Sequence, residues 1–234
     1  MSVRVLVAHG DRELAGVARA DESWWAAACR IAMTVHGDPV AVDLSGEDKR
    51  FAIDHDLKVT IRPMTRGDLP DVTRWRQAEH VHRWWVADGH PTADNVAAQY
   101  VPDIDGLTPT RIWVSEVNGR SVGFVQDYRI GDYPEYAVHG PDPDAIGADY
   151  AIGEEKWCGR GIGTRVMWAW LLKSRHRFPE ATTYFAAPDH RNEPSLRLLD
   201  KLGFTRGVWF DERNADGSST TVVGCTFDVR RVLG

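Results

Sequence analysis

The 234-residue sequence is short of cysteine, of long apolar runs and of positive charge, and each shortage closes off a class of protein. Its three cysteines, Cys29, Cys158 and Cys225, are odd in number and far apart, without the CxxC spacing of a zinc knuckle or the density of a disulfide framework. His80 and His82 do not stand at the i, i+4 spacing of a helical zinc site, so no metal is expected. No stretch approaches the ~18 apolar residues of a membrane helix, and the opening run Met1 to Val7 is too short in apolar length for a signal peptide. A cytoplasmic protein without membrane contact is the expectation. With 28 Lys and Arg against 34 Asp and Glu, the net charge of −6 offers no basic face for a nucleic acid. A cationic ligand suits it better.

Tryptophan, by contrast, is plentiful: the ten copies provide large apolar faces for a core or for the walls of a ligand pocket. The length suits one sizeable domain with a small appended unit. Residues 1 to 58 read as that unit, an α/β extension with a strand at Val3 to Val7, a helix at Ser23 to Met33, a strand at Val40 to Leu44 and a turn over Ser45 to Arg50. Residues 59 to 234 form the main domain. Its pattern predicts a strand at Leu57 to Arg62 and helices at Asp68 to Glu79 and Asp94 to Tyr100. A hairpin follows, Thr110 to Val117 with Ser121 to Tyr128, turning on Asn118-Gly119 because both residues tolerate positive φ. Next come a strand at Ala148 to Ile152, a helix at Val166 to Leu172, a strand at Thr182 to Ala186, a helix from Pro194 to Leu202 stopped by Gly203, and a strand at Thr220 to Val229.

Between the Ala148 strand and the next helix stands Gly159-Arg160-Gly161-Ile162-Gly163-Thr164. Glycines allow the backbone to turn its N–H groups inward, and the helix N-terminus adds partial positive charge, so the segment suits an anion. It is not a Walker A loop, which needs GxxxxGK[ST], and it lacks the full GxGxxG and following acid of a dinucleotide fold. By itself it reads equally well as a tight turn.

Taken with Asp149 to Gly153, Ala187 to Asn192 and Lys201 to Phe204, the loop resembles the signature of the GNAT acetyltransferases in order and spacing. Glu79 to Trp85, Pro91 to Pro102 and Val122 to Tyr128 are similar to segments of the aminoglycoside 6′-N-acetyltransferases within that superfamily. The likeness covers about residues 59 to 230. It implies a mixed, mostly antiparallel α/β (α+β) sheet, splayed at the acyl-CoA site and flanked by helices. It also implies acetyl-CoA as co-substrate, with a polycationic aminoglycoside as acceptor and antibiotic resistance as the outcome, in a monomer or homodimer. A lysine N-acyltransferase of siderophore assembly, another small-amine acetyltransferase and a non-catalytic acyl-CoA-binding module are the alternatives.

Carried over residue by residue, the resemblance implies that the backbone of Tyr150, Ala151 and Ile152 pairs with the pantetheine arm and that Asn192 fixes it. Arg160, Gly161, Ile162, Gly163 and Thr164 would hold the pyrophosphate. Trp84, Trp85, Gln126, Tyr128, Asp142 and Asp149 would line the acceptor side, with Asp149 catalytic. Two positions depart from the pattern: Cys158 stands where Gln or Arg is usual, and Leu199 where many members carry a thiolate-protonating Tyr. The acceptor reading also draws on charge. Between Asp127 and Glu155 eight acids (Asp127, Asp132, Glu135, Asp142, Asp144, Asp149, Glu154 and Glu155) face a single Arg129, a concentration that would attract ammonium groups.

Overall fold

Val5, Leu6 and Val7 are three apolar residues in a row, and all three are buried in strand β1, Arg4–His9. The computed structural model describes every residue except 1, 21, 34, 36, 86–88, 134–141, 215 and 233–234. β1 folds back on β2, Arg12–Val17, and helix α1, Trp24–Ile31, buries Ala26 to Cys29 behind a Ser23 cap whose side chain accepts from the Ala26 amide. Strands β3, Asp38–Asp43, and β4, Lys49–Asp54, complete a four-stranded sheet in the order β2-β1-β4-β3, with β4 parallel to β1. Two of these strands escape the sequence pattern. β2 is an edge strand carrying little apolar surface, and β4 begins at Lys49 and Arg50, inside the polar run that reads as a turn.

The N-terminal sheet is fastened to the rest of the chain by a buried cation. Arg165 donates to Asp38 at 2.8 Å, to Asp54 at 2.7 Å and to the Leu57 carbonyl. Nearby, the Trp25 ring stands edge-on to Trp168 with centroids 5.5 Å apart. Ser23 Oγ donates to the Lys201 carbonyl.

A second sheet begins at β5, Val59–Pro63. Helices α2, Leu69–Gln77, and α3, Glu79–His82, follow, then α4, Ala93–Ile104, which continues past its expected end through Pro102. Strands β6, Arg111–Val117, and β7, Arg120–Arg129, form the expected hairpin, with φ of 50° at Asn118 and 74° at Gly119. β8, Ile146–Ile152, leads into α5, Ile162–Arg177, whose N-cap is Gly161 and whose first turn takes in Ile162, Gly163 and Thr164 of the glycine loop. β9, Thr183–Ala186, and α6, Glu193–Leu202, precede the hairpin of β10, Thr205–Arg213, and β11, Ser219–Asp228, and a short α7, Val229–Val232. β10 was not expected; it is mostly exposed, and Val208 and Trp209 at its centre stay open to solvent.

The seven strands run β10-β11-β9-β8-β7-β6-β5, all neighbours antiparallel except β8 and β9. This is the mixed, mostly antiparallel sheet flanked by helices. On one face Trp170 of α5 packs with Tyr184 and Phe227 of the sheet, and on the other Trp75 of α2 and Tyr100 of α4 pack against Phe124 of β7. β8 and β9 pair only at Ile146 with Tyr184 and Gly147 with Phe185, then part. The rest of β8 therefore has an open edge. Among the described residues no helix is long and apolar enough to cross a membrane.

Candidate active site

Which backbone groups line the open edge follows from the ladder on the other side of β8. The Gly153 amide donates to the Val122 carbonyl at 2.8 Å. In an antiparallel pair, residues turn alternately toward and away from the partner, so Ala151 bonds across to Phe124 while Tyr150 and Ile152 turn toward the gap. The expectation that all three residues offer backbone therefore changes at Ala151, whose N–H and C=O belong to the β7 ladder. Ala151 still lines the groove. The Ile152 carbonyl is already used, since His80 Nε2–H donates to it at 3.0 Å. That leaves the Tyr150 amide and carbonyl and the Ile152 amide for a ligand.

At the end of this edge the loop takes the conformation that its glycines permit. Gly159 and Gly161 have φ of 71° and 77°, with no atom within 4 Å of where a Cβ would stand, so backbone conformation rather than crowding requires glycine. The amides of Ile162, Gly163 and Thr164 are the first of α5 and have no acceptor within the helix. They point at an anion site. The Arg160 guanidinium lies 5.0 Å from the Trp157 ring, beside the loop. A groove of about 550 Å³ runs from the loop past Ile152 and Tyr150 to Asn192 and Ser195. Asn192 Oδ1 caps α6 by accepting from the Ser195 amide at 3.3 Å, which leaves its NH₂ group unused by the cap. Cys158 also borders the groove, and burial together with the Glu155 charge pushes its thiol pKa up, which disfavours the thiolate a nucleophile would need.

A second, smaller cleft of about 180 Å³ lies on the other side of Tyr150. It brings together Trp84, Trp85, Gln126, Tyr128 and Asp149, five of the six residues expected on the acceptor side. The β7–β8 register sets Gln126 opposite Asp149, and Gln126 Nε2 donates to Asp149 Oδ2 at 2.9 Å. The Trp85 ring packs 5.1 Å from Phe124 and carries the Arg76 guanidinium 5.2 Å from its centre, so it is anchored in the core as well as facing the cleft. Trp84, Trp85, Tyr150, Asn192 and Ser195 line both groove and cleft. Donor and acceptor spaces meet there. At that meeting point the Tyr150 and Ser195 hydroxyls are 2.6 Å apart, and burial pushes the Tyr150 phenol well above its ordinary pKa. Leu199, one turn after Ser195, is fully buried in the core.

Asp142 is the acceptor residue that the fold does not bring in. Its carboxylate accepts from the Asp144 amide at 2.9 Å, and it does not line the cleft. The acidic stretch as a whole also divides. Asp127 is fully buried, accepting from Trp113 Nε1 at 2.7 Å and Trp170 Nε1 at 2.9 Å, so it holds two core indoles in place. Asp144 pairs with Arg129, and Glu154 pairs with Arg74 and the Trp75 indole. Glu135 lies outside the described residues. Of the eight, Asp149 alone lines the cleft among the described residues. A second carboxylate comes instead from Glu212 on β10, next to Asn214 and Thr220, residues that sequence reasoning missed. Asp189 also borders the cleft, with its pKa held low by hydrogen bonds from Arg191. Among the described residues, no group of three or more His, Cys, Asp or Glu is placed to hold a metal.

Known proteins are similar in sequence and fold. The chain is 29% identical over 150 residues to the aminoglycoside N(6′)-acetyltransferase type 1 of Klebsiella pneumoniae, covering 63% of this chain and 74% of that protein, and to its Serratia marcescens counterpart with the same figures. The fold superposes on the aminoglycoside acetyltransferase AAC(6′)-Ib bound to coenzyme A and kanamycin, with a TM-score of 0.63, 26% identity and coverage of 74% of this chain and 96% of that one. The structure of AAC(6′)-Ib with paromomycin and acetyl-CoA gives a TM-score of 0.64 at the same identity, covering 74% of this chain and 95% of that one. A family model described as an acetyltransferase (GNAT) domain matches residues 65–211, which span the open strand edge, the glycine loop and Asn192, and the chain belongs to the GNAT acetyltransferases.

Proposed function

We propose that this acyl-CoA-dependent N-acetyltransferase acetylates a primary amine, the 6′-amine, of a polycationic aminoglycoside, by direct attack within a ternary complex. The observation that carries the reading is the junction at Tyr150, where an anion-binding groove and a carboxylate-bearing cleft share one wall. The relatives named for aminoglycosides, among them the structure with kanamycin, support the choice of acceptor.

In this reading the loop amides from Gly161 to Thr164, with Arg160, hold the pyrophosphate. The pantetheine arm adds to the open edge at Tyr150 and Ile152 under Asn192, which delivers the thioester to the junction. Asp149, oriented by Gln126, holds the incoming ammonium, and Glu212 offers a second site for another amine of the same molecule. Attack requires the neutral amine. A carboxylate is ordinarily a weak base toward an ammonium, so Asp149 positions the nitrogen and relays its proton through water as much as it removes it. The nitrogen–carbon bond forms, the carbon–sulfur bond breaks, and the sulfur leaves as thiolate and takes a proton from water. Tyr150 stays protonated and donates a hydrogen bond to that sulfur, a role that Leu199 lacks the chemistry to fill.

Free-thiol release from acetyl-CoA tests the acceptor. Kanamycin and tobramycin are expected to stimulate release well above hydrolysis, and lysine, hydroxylysine and spermidine to give little. Release with one of the latter, and none with the aminoglycosides, would overturn the substrate assignment while keeping the acyltransferase.

A further inference from the structure

The anion loop has a second groove on its far side, between the N-terminal sheet and the start of α5. This space of about 590 Å³ is lined on one side by Trp24, Val40 and Leu44, and on the other by Arg160, Gly161 and Lys201. Trp24, Val40 and Leu44 remain 39%, 37% and 40% exposed. Gly161, Thr164 and Lys201 border both this groove and the donor groove, so the two join over the loop.

Its charge is also suited to an anion with a flat apolar part. The acids at the rim are already neutralised: Glu22 pairs with Arg30 and Asp200 with Arg206. Lys201 is exposed and, among the described residues, has no ion-pair partner. Lys49 lies 4.4 Å from the Trp24 ring centre, with its ammonium bonded to the Leu44 and Gly46 carbonyls, which makes the ring one wall of a fixed corner.

Coenzyme A is a linear molecule with its pyrophosphate in the middle. If the pantetheine arm leaves the loop toward Tyr150, the other arm, an adenosine carrying a 3′-phosphate, leaves on the opposite side. We propose that the N-terminal unit completes the donor site: the adenine lies against Trp24 in this groove, and the 3′-phosphate is met by Lys201. The proposal rests on the acyl-CoA reading of the loop and gives residues 4–54, which lie outside the family match, a part in binding. Stacking on an indole tolerates any flat base, and the lysine supplies the specificity for the phosphate.

Binding to the full-length protein, measured by calorimetry without acceptor, tests it. Wild type is expected to bind CoA about tenfold more tightly than dephospho-CoA, a preference that Lys201→Ala abolishes. Trp24→Ala is expected to raise the KM for acetyl-CoA about tenfold while leaving kcat/KM for S-acetylpantetheine, which has no nucleotide, unchanged. Equal affinity of the wild type for CoA and dephospho-CoA would overturn the phosphate contact without any variant. Equal losses with both acyl donors would reduce Trp24 to a structural role. Because no acceptor is present in the binding experiments, an error in the aminoglycoside assignment leaves these results untouched, whereas failure of wild type to bind CoA would remove the donor reading with it.

Discussion

The polar groups that the donor groove offers a ligand include unpaired backbone amides of a loop and a strand edge, whereas the acceptor cleft beside it offers side chains from elements far apart in the chain. Loop amides and an open strand edge bind whatever presents phosphate and amide groups, and they tolerate Cys158 where a larger polar residue is usual. The cleft depends on identity: Gln126 and Asp149 meet through the β7–β8 register, and Glu212 arrives from β10. One consequence is that holding the pyrophosphate and pantetheine should be robust to side-chain change, and acceptor use should not.

The largest effect is expected at Asp149. Asp149→Ala should lower kcat by roughly 100-fold or more, within the range for a lost proton-transfer group. A loss of only a few-fold would move the chemistry elsewhere in the cleft. Tyr150 stands on the boundary and sharpens the comparison, because its backbone serves the donor and its hydroxyl the reaction. Tyr150→Phe keeps the former and removes the latter, so kcat should fall about tenfold with the KM for acetyl-CoA unchanged, as for one hydrogen bond to a charged group. A rise in KM with constant kcat would instead assign the hydroxyl to ground-state binding.

This division also explains what could be read from the sequence. An anion loop built from backbone needs glycines at fixed intervals next to a helix start, and such a demand is written locally. The open edge was expected from the family resemblance rather than from a local mark, and the alternation withdrawing Ala151 depends on a register seen only in the fold. Side-chain sites lack such local marks. Glu212 was missed because it lies on an exposed strand, β10, whose apolar residues Val208 and Trp209 face outward, β2 because its residues are largely exposed, and β4 because it begins inside the polar run of the expected turn. The acidic stretch misled in the opposite direction: Asp127 sits one position from Gln126, and the strand period turns its carboxylate into the core against Trp113 and Trp170.

The smallest effect concerns the frame beneath both sites. Arg62 bonds Asp68 at 2.7 Å, tying the start of α2 to β5, and that bond leads the causes that bring the Asp68 pKa from 3.8 to about 2. A lowered carboxylate pKa adds stability that is complete above the unfolded value and lost as pH falls through the folded one. Thermal unfolding should therefore lose stability between pH 3.8 and about 2, and Asp68→Asn should flatten that limb. An unchanged slope in the variant would mean that the pair contributes nothing there.

The separation of the two sites is tested most directly by titrating the Asp149→Ala protein with each ligand in turn by calorimetry. The account predicts an affinity for acetyl-CoA matching that of the wild type and weakened binding of kanamycin. Weakened acetyl-CoA binding with kanamycin affinity intact would contradict it, placing Asp149 on the donor side of the wall.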